Sequence, residues 1–212
     1  VSSLSAFRFL VAPEVPGAPN LIIDNAVLLS CRDFCKQTHL WRYEHPAIPV
    51  VSGTADYELD DLPSQSEVIW VNTIGQSTHD VASQPIDIVK KVNPGYQSNT
   101  GSAAANFTMI DSLTVRLMPI PTAASAITPD VILRPTLAAS SVWDTLFNEW
   151  GEVIAAGAKA RLQMQPGKNY SNPEFAIVNT GIYKSGITDV RRRMNNGFTM
   201  FNDTIQAGSS FT

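Results

Sequence analysis

The chain has 212 residues, 44% of them hydrophobic and only 16% charged, with a formal net charge of −4. That length can bury one full core, and the charged share falls well below the roughly one quarter usual for soluble domains. A mildly acidic balance argues against a protein built to grip phosphate backbones, and no run approaches the ~20 apolar residues of a membrane helix.

Residues 1–19 carry Pro13, Pro16, Gly17 and Pro19, which oppose a continuing helix, so an irregular arm is expected. There is no basic-then-apolar leader pattern, and the chain is expected to be made in the cytosol and stay soluble. Asn20 can cap a helix over residues 21–40, in which Ile23, Val27, Cys31, Phe34 and Trp41 keep helical spacing and Ile22, Ala26 and Leu29 widen the stripe. Cys31 and Cys35 lie on one face of it, where a disulfide would constrain little, and read as buried reduced thiols.

From residue 43 to 137 the period changes, and short β-rich pieces alternate with Pro, Gly and Ser/Asn clusters. Strands are expected over 47–52 and 55–59, joined by a turn at Gly53-Thr54, then over 67–74, 107–110, 113–119 and 131–136. Asp111-Ser112 has the polarity of a hairpin turn without the Asn-Gly signal that would fix its register. Residues 97–105 read as an exposed loop.

Helical spacing returns at residue 142 and runs to about residue 164 through Leu146, Trp150, Val153, Ile154, Gly157, Ala158 and Leu162. Gly151, Ala155, Ala156, Gly157 and Ala160 thin one side, which favours a close antiparallel helix partner. Asn172-Pro173 starts that partner, and Phe175, Val178, Ile182, Tyr183, Ile187 and Val190 recur along it to about residue 194. Arg191, Arg192 and Arg193 fall in its last turn, where positive charge suits the helix dipole. The remaining polar tail carries the isolated anchors Phe198, Phe201, Ile205 and Phe211.

The expected fold is therefore α+β: a helical bundle of one N-terminal helix plus a C-terminal helical hairpin, with an inserted small antiparallel β unit and extended termini. The divisions are 1–19 for the arm, 20–42 and 138–195 for the bundle, 43–137 for the β unit and 196–212 for the tail. Phe34, Cys35, Trp41, Trp150, Ile154 and Gly157 are the expected helix-packing core.

Chemistry-bearing clusters are sparse. The three histidines are His39, His45 and His79, and only Cys35 with His39 has ligand spacing, two donors where a zinc site needs four. Asp60-Asp61 reads as a solvated strand end, and Glu149 with Glu152 as a polar helix face, rather than as a converging acid/base pair. No GxGxxG, Walker A, GxSxG or HExxH pattern is present. No catalytic residue, metal or cofactor is expected.

Three stretches carry a resemblance. A Pro-rich lead-in, Pro13-Glu14-Val15-Pro16-Gly17, precedes a helix closing on Phe34-Cys35 and Trp41-Arg42. Glu149-Trp150-Gly151-Glu152-Val153-Ile154-Ala155-Ala156-Gly157-Ala158 leads into Pro166-Gly167-Lys168-Asn169-Tyr170-Ser171-Asn172-Pro173. Between them stands Val131-Ile132-Leu133-Arg134-Pro135-Thr136. In this order the chain resembles the head-to-tail adaptor, or head-tail connector, proteins of tailed bacteriophages, of the short-tailed kind. The likeness covers residues 13–197, while residues 98–105 and those after 197 follow no pattern of the family.

The resemblance implies a virion structural protein of the neck, a homo-oligomeric ring of twelve identical subunits docked beneath the portal. Its partners would be the portal protein above and tail nozzle, tube or fibre proteins below, with genomic DNA passing through the channel without sequence-specific binding. On this view Arg191, Arg192, Arg193, Phe198, Phe201, Ile205 and Phe211 are the candidate portal-docking residues. The alternatives are another virion ring component, such as a tail-tube or fibre-attachment subunit, and a peptidoglycan-degrading or sugar-binding virion module using Asp60, Asp61, Glu149 or Glu152.

Overall fold

Leu4, Phe7, Val11 and Val15 recur every three or four residues, and this spacing folds the N-terminal segment inward. In the computed structural model, which describes residues 1–76 and 79–197, these four side chains are buried. The segment begins with β1 (Ser2–Ser3), passes through a 3-10 turn into α1 (Arg8–Val11) and ends in a second 3-10 turn, Ala12–Glu14. Phe7 meets Phe147 edge-on with ring centroids 5.0 Å apart. The expectation of an extended N-terminal arm is thus corrected: its prolines shorten the helices without preventing burial.

The next helix, α2 (Asn20–Thr38), buries Ile23, Val27, Cys31, Phe34 and Cys35. It stops two residues short of the expected end. His39 takes a left-handed conformation (φ 54°) and its N–H returns to the Cys35 carbonyl. The Thr38 hydroxyl donates to the Phe34 carbonyl (2.7 Å) and accepts from the Leu40 N–H (3.3 Å), which closes the last turn.

The β region contains β2 (Arg42–Glu44), β3 (Ile48–Val50), β4 (Asp56–Glu58), β5 (Ser66–Gln76), β6 (His79–Ser83), the helix α3 (Ile86–Val92), β7 (Thr100–Gly101), β8 (Asn106–Met109), β9 (Thr114–Met118), β10 (Ile120–Pro121) and β11 (Ser125–Pro135). A short β12 (Ser141–Val142) pairs with β1. Eight strands form one sheet in the order β2, β11, β5, β6, β8, β9, β4, with β3 paired to β11 as well. Its spine is the long antiparallel pair β5 and β11. Within this sheet β6 and β8 run parallel, joined by the crossover that contains α3.

The sheet is curled into a half-barrel, and the chain's own geometry explains why. β3 and β4 follow one another in sequence, yet β3 pairs with β11 at one edge and β4 with β9 at the other. In a flat sheet those two strands would lie six spacings apart, about 29 Å. The link from Val50 to Asp56 spans at most about 21 Å fully extended. Only a curled sheet can satisfy both. The link is clasped in place: the Tyr57 hydroxyl accepts from the Val51 N–H (3.1 Å) and donates to the Thr54 carbonyl (3.0 Å), and the Gly53 N–H donates to the Pro121 carbonyl (2.8 Å).

Two expectations are corrected here. The turn at Gly53 (φ 82°) exists, but its flanking strands do not form a hairpin with each other. The fold is also not a helical bundle with a small antiparallel β unit: it is a mixed α/β fold dominated by the curled eight-stranded sheet. The missed pieces of the sheet region are β2, β6, α3 and the first half of β11. Pro129 within β11 reads as a strand breaker, yet it sits beside a register shift between Asp130 and Val131, where a missing N–H is tolerated. The β8–β9 hairpin forms as expected, with Asp111 Oδ1 accepting from the N–H groups of Leu113 and Thr114, both at 2.8 Å.

The second layer is helical. α4 (Asp144–Asn148) and α5 (Gly151–Gln163) replace the single helix expected over 142–164, with the break at Glu149-Trp150. α6 (Pro173–Asn195) starts where Asn172 caps the Phe175 N–H (3.3 Å). α5 and α6 pack closely: a Cβ on Gly157 would lie 2.7 Å from the Tyr183 ring. α2 is laced to the sheet by Arg32, which reaches Glu67 Oε1 of β5 at 3.0 Å, where Arg134 of β11 also donates at 2.7 Å. One continuous hydrophobic core joins both layers, and a small satellite of Val89, Tyr96 and Met118 sits under α3.

Candidate functional site

Cys35 is fully buried, and burial pushes its thiol up to about 12, with Arg134 and Arg32 drawing it only partly back. Burial also raises Cys31. Neither thiol is poised to ionise as a nucleophile or metal ligand near neutral pH. His39, four residues on, is exposed at the end of α2. Partial shielding of its ring from water by neighbouring groups lowers its pKa from the ordinary value, assisted by Arg191 and Arg42. His45 is buried with Nδ1 2.8 Å from the Pro46 carbonyl oxygen. Among the described residues no group of three or more His, Cys, Asp or Glu side chains gathers to hold a metal ion. Asp60 and Asp61 are exposed on the link after β4, whereas Glu149 and Glu152 are exposed on the helical layer, so the four carboxyls do not converge as one cluster.

The arginine run is engaged within the subunit. Arg191 Nε donates to the Gln37 carbonyl (2.7 Å) at the C-terminal end of α2, where a cation complements the helix dipole. Arg192 is paired with Asp189 at 3.3 Å, and the Arg193 guanidinium lies over the Trp150 ring, 5.0 Å from its centroid. Phe198, Phe201, Ile205 and Phe211 lie outside the described residues.

The structure places Phe34, Cys35, Trp41, Trp150, Ile154 and Gly157 as buried residues. Phe34 bridges Trp150 and Tyr183 at centroid distances of 6.0 and 6.3 Å, and Trp41 stacks on Trp143 at 5.8 Å. The Tyr183 hydroxyl donates to Asp33 Oδ2 (3.0 Å) and lies 3.1 Å from the Ser30 carbonyl oxygen.

What the sequence did not separate is the apolar surface left uncovered. The stripe along α6 is wider than the face it buries: Ala176, Tyr183, Ile187 and Val190 point into the core, while Phe175, Val178 and Ile182 are 57%, 58% and 49% exposed. This surface continues onto α1, where Phe9 is 67% exposed. A hollow of about 440 Å³ is lined by Phe9, Leu10, Phe147 and Val153 and bordered by Glu149 and Glu152. Through Leu10 and Glu152 it adjoins a second hollow of about 290 Å³ that reaches Ile182. The second hollow is lined by a polar knot: Glu14 pairs with Lys159, and Asn179 donates to Glu14 Oε2 (3.2 Å) and to Gln163 Oε1 (2.9 Å). Lys159 holds the Glu14 carboxyl below the usual range against the opposing effect of burial, with help from Asn179. A third hollow of about 700 Å³ lies between the start of α2 and the α5–α6 turn, floored by Ile22, Ala26 and Leu29 and rimmed by Arg161 and Lys168.

The arrangement can dock protein surfaces: apolar concavities with charged rims are built on rigid helices. No family model matches the chain, and no curated protein is significantly similar to it.

Proposed function

We propose that this chain is a structural subunit of a tailed bacteriophage, the head-to-tail adaptor that forms a ring beneath the portal and extends the DNA channel towards the tail. The observation that carries this reading is the uncovered apolar face of the helical layer, from Phe9 to Ile182, built from the same helices whose motif order resembles the connector family. A face of this kind marks a surface covered by another protein. The low charge content agrees with it, since charged groups are depleted at the centre of stable interfaces.

In this reading the action is mechanical. Identical subunits close a ring through one repeated contact, DNA slides through a mildly acidic passage without tight phosphate contacts, and the segment after Asn196 reaches the portal. Because Arg191 and Arg193 hold α2 and Trp150 within the subunit, the portal contact falls chiefly to the apolar anchors of that segment. Truncation after Asn196 should leave the fold intact and abolish co-sedimentation with isolated portal rings. Undiminished binding by the truncated chain would remove the tail from this account.

A further inference from the structure

Strand alternation decides what the crossover carrying α3 closes over. Phe107 of β8 and Leu117 of β9, directly opposite one another, turn into the main core, and the next pair, Asn106 and Met118, turns the other way. There Met118 meets Val89 and Tyr96 in the satellite core. Beside these three opens a hollow of about 220 Å³. Four carboxamides line it as well, those of Gln84, Asn93, Asn99 and Asn106, and none of its lining residues carries a charge.

The backbone fixes these four residues. The Gln84 N–H donates to the Phe107 carbonyl and the Asn93 N–H to the Val89 carbonyl, both at 2.8 Å, and the Asn99 carbonyl accepts from the Ile120 N–H at 2.8 Å. Asn106 is held in the ladder between β8 and β9. Their side chains stay outside this network: among the described residues no hydrogen bond engages any of the four carboxamides. The hollow thus presents free donors and acceptors on a fixed frame around an apolar wall.

That combination selects a ligand by elimination. An anion finds no cation among the lining residues, a hard metal ion finds no carboxylate, and a wholly apolar molecule would strip water from four amides and return nothing. A sugar ring satisfies both parts. Each hydroxyl and each carboxamide can donate and accept, and the C–H face of the ring suits Val89 and Met118. The volume equals that of about seven waters, room for one ring. We propose that this hollow binds one pyranose unit of a neutral sugar, its hydroxyls held by Gln84, Asn93, Asn99 and Asn106. The site is independent of the ring reading, and either can fail alone.

The test is saturation-transfer NMR on the full chain with glucose, galactose, mannose and N-acetylglucosamine, and with maltotriose and chitotriose. At least one of these should receive saturation at its ring protons. Tighter binding of a trisaccharide than of its single sugar assigns the source as a glycan and equal binding assigns free sugar; both support the site. Asn99→Leu and Asn106→Leu should each weaken binding by about fivefold or more, the worth of one lost hydrogen bond. Asn99 is exposed, so its variant should melt at the wild-type temperature and keeps the test valid if the strand variant misfolds. No transfer to any of the sugars, unchanged affinity in the Asn99→Leu chain, or adenosine monophosphate or glucuronate bound as tightly as the best neutral sugar would each overturn the proposal.

Discussion

His39 ends α2 with a positive φ of 54° that a side chain disfavours, at a cost of roughly 1–2 kcal/mol relative to a residue without Cβ. Glycine there gives back about 0.5–1 kcal/mol through its freer unfolded state, so His39→Gly should raise the melting temperature by about 1–4 °C. A lower melting temperature would show that the imidazole contributes more than it strains. The same residue titrates. Partial shielding from water, then Arg191 and Arg42, lower its pKa from 6.5, so the unfolded chain binds this proton more readily and stability falls as pH drops below about 6.5. Asparagine tolerates the left-handed conformation and does not titrate, so His39→Asn should flatten the pH dependence of urea midpoints in that window. Glu67 acts in a separate, more acidic window. Burial raises it, but the hydrogen bonds from Arg32 and Arg134 outweigh burial and leave its pKa below 4.5. Its contribution is present above the ordinary carboxyl pKa and is lost as pH falls below it.

At the scale of elements, two glycines on the hairpin should answer oppositely to the same change. Gly157 lies against the Tyr183 ring, which cannot retreat without disturbing its contacts to Ser30 and Asp33. Gly157→Ala should therefore destabilise by about 1–3 kcal/mol. Gly181, with open space around it, should gain up to about 1 kcal/mol as alanine from helix propensity alone. Equal effects at the two sites, measured by urea unfolding, would contradict the packing described. The small-residue run 151–160 made the close helix pair legible, and Asn172-Pro173 marked where α6 begins. The sheet was far less legible. Its defining link joins β3 to β4 across opposite edges, and nothing local distinguishes that turn from an ordinary hairpin. Tyr57 carries the difference: Tyr57→Phe should cost about 1–2 kcal/mol and speed amide exchange at Val51 and Gly53, whereas unchanged exchange would mean that the clasp does not hold the curl. β6 and α3 escaped because Gln84 and Pro85 interrupt the pattern and seven helical residues are too few for periodicity to register.

For the whole molecule, one core spans a curled sheet and a helical layer, and about half of the large apolar residues it leaves exposed lie on that helical layer. Periodicity alone merged Phe175, Val178 and Ile182 with the buried stripe, because a sequence shows that a helix face is apolar but not how much of it its own chain covers. The candidate assembly surface was therefore legible in composition and invisible in position. The reading of this surface as part of a ring meets its most direct test when purified full-length chain is mixed with isolated portal rings and the product is imaged. The expected product is a closed ring of copies of this chain seated coaxially beneath the portal. Portal rings that remain bare at saturating concentrations of the chain would contradict it.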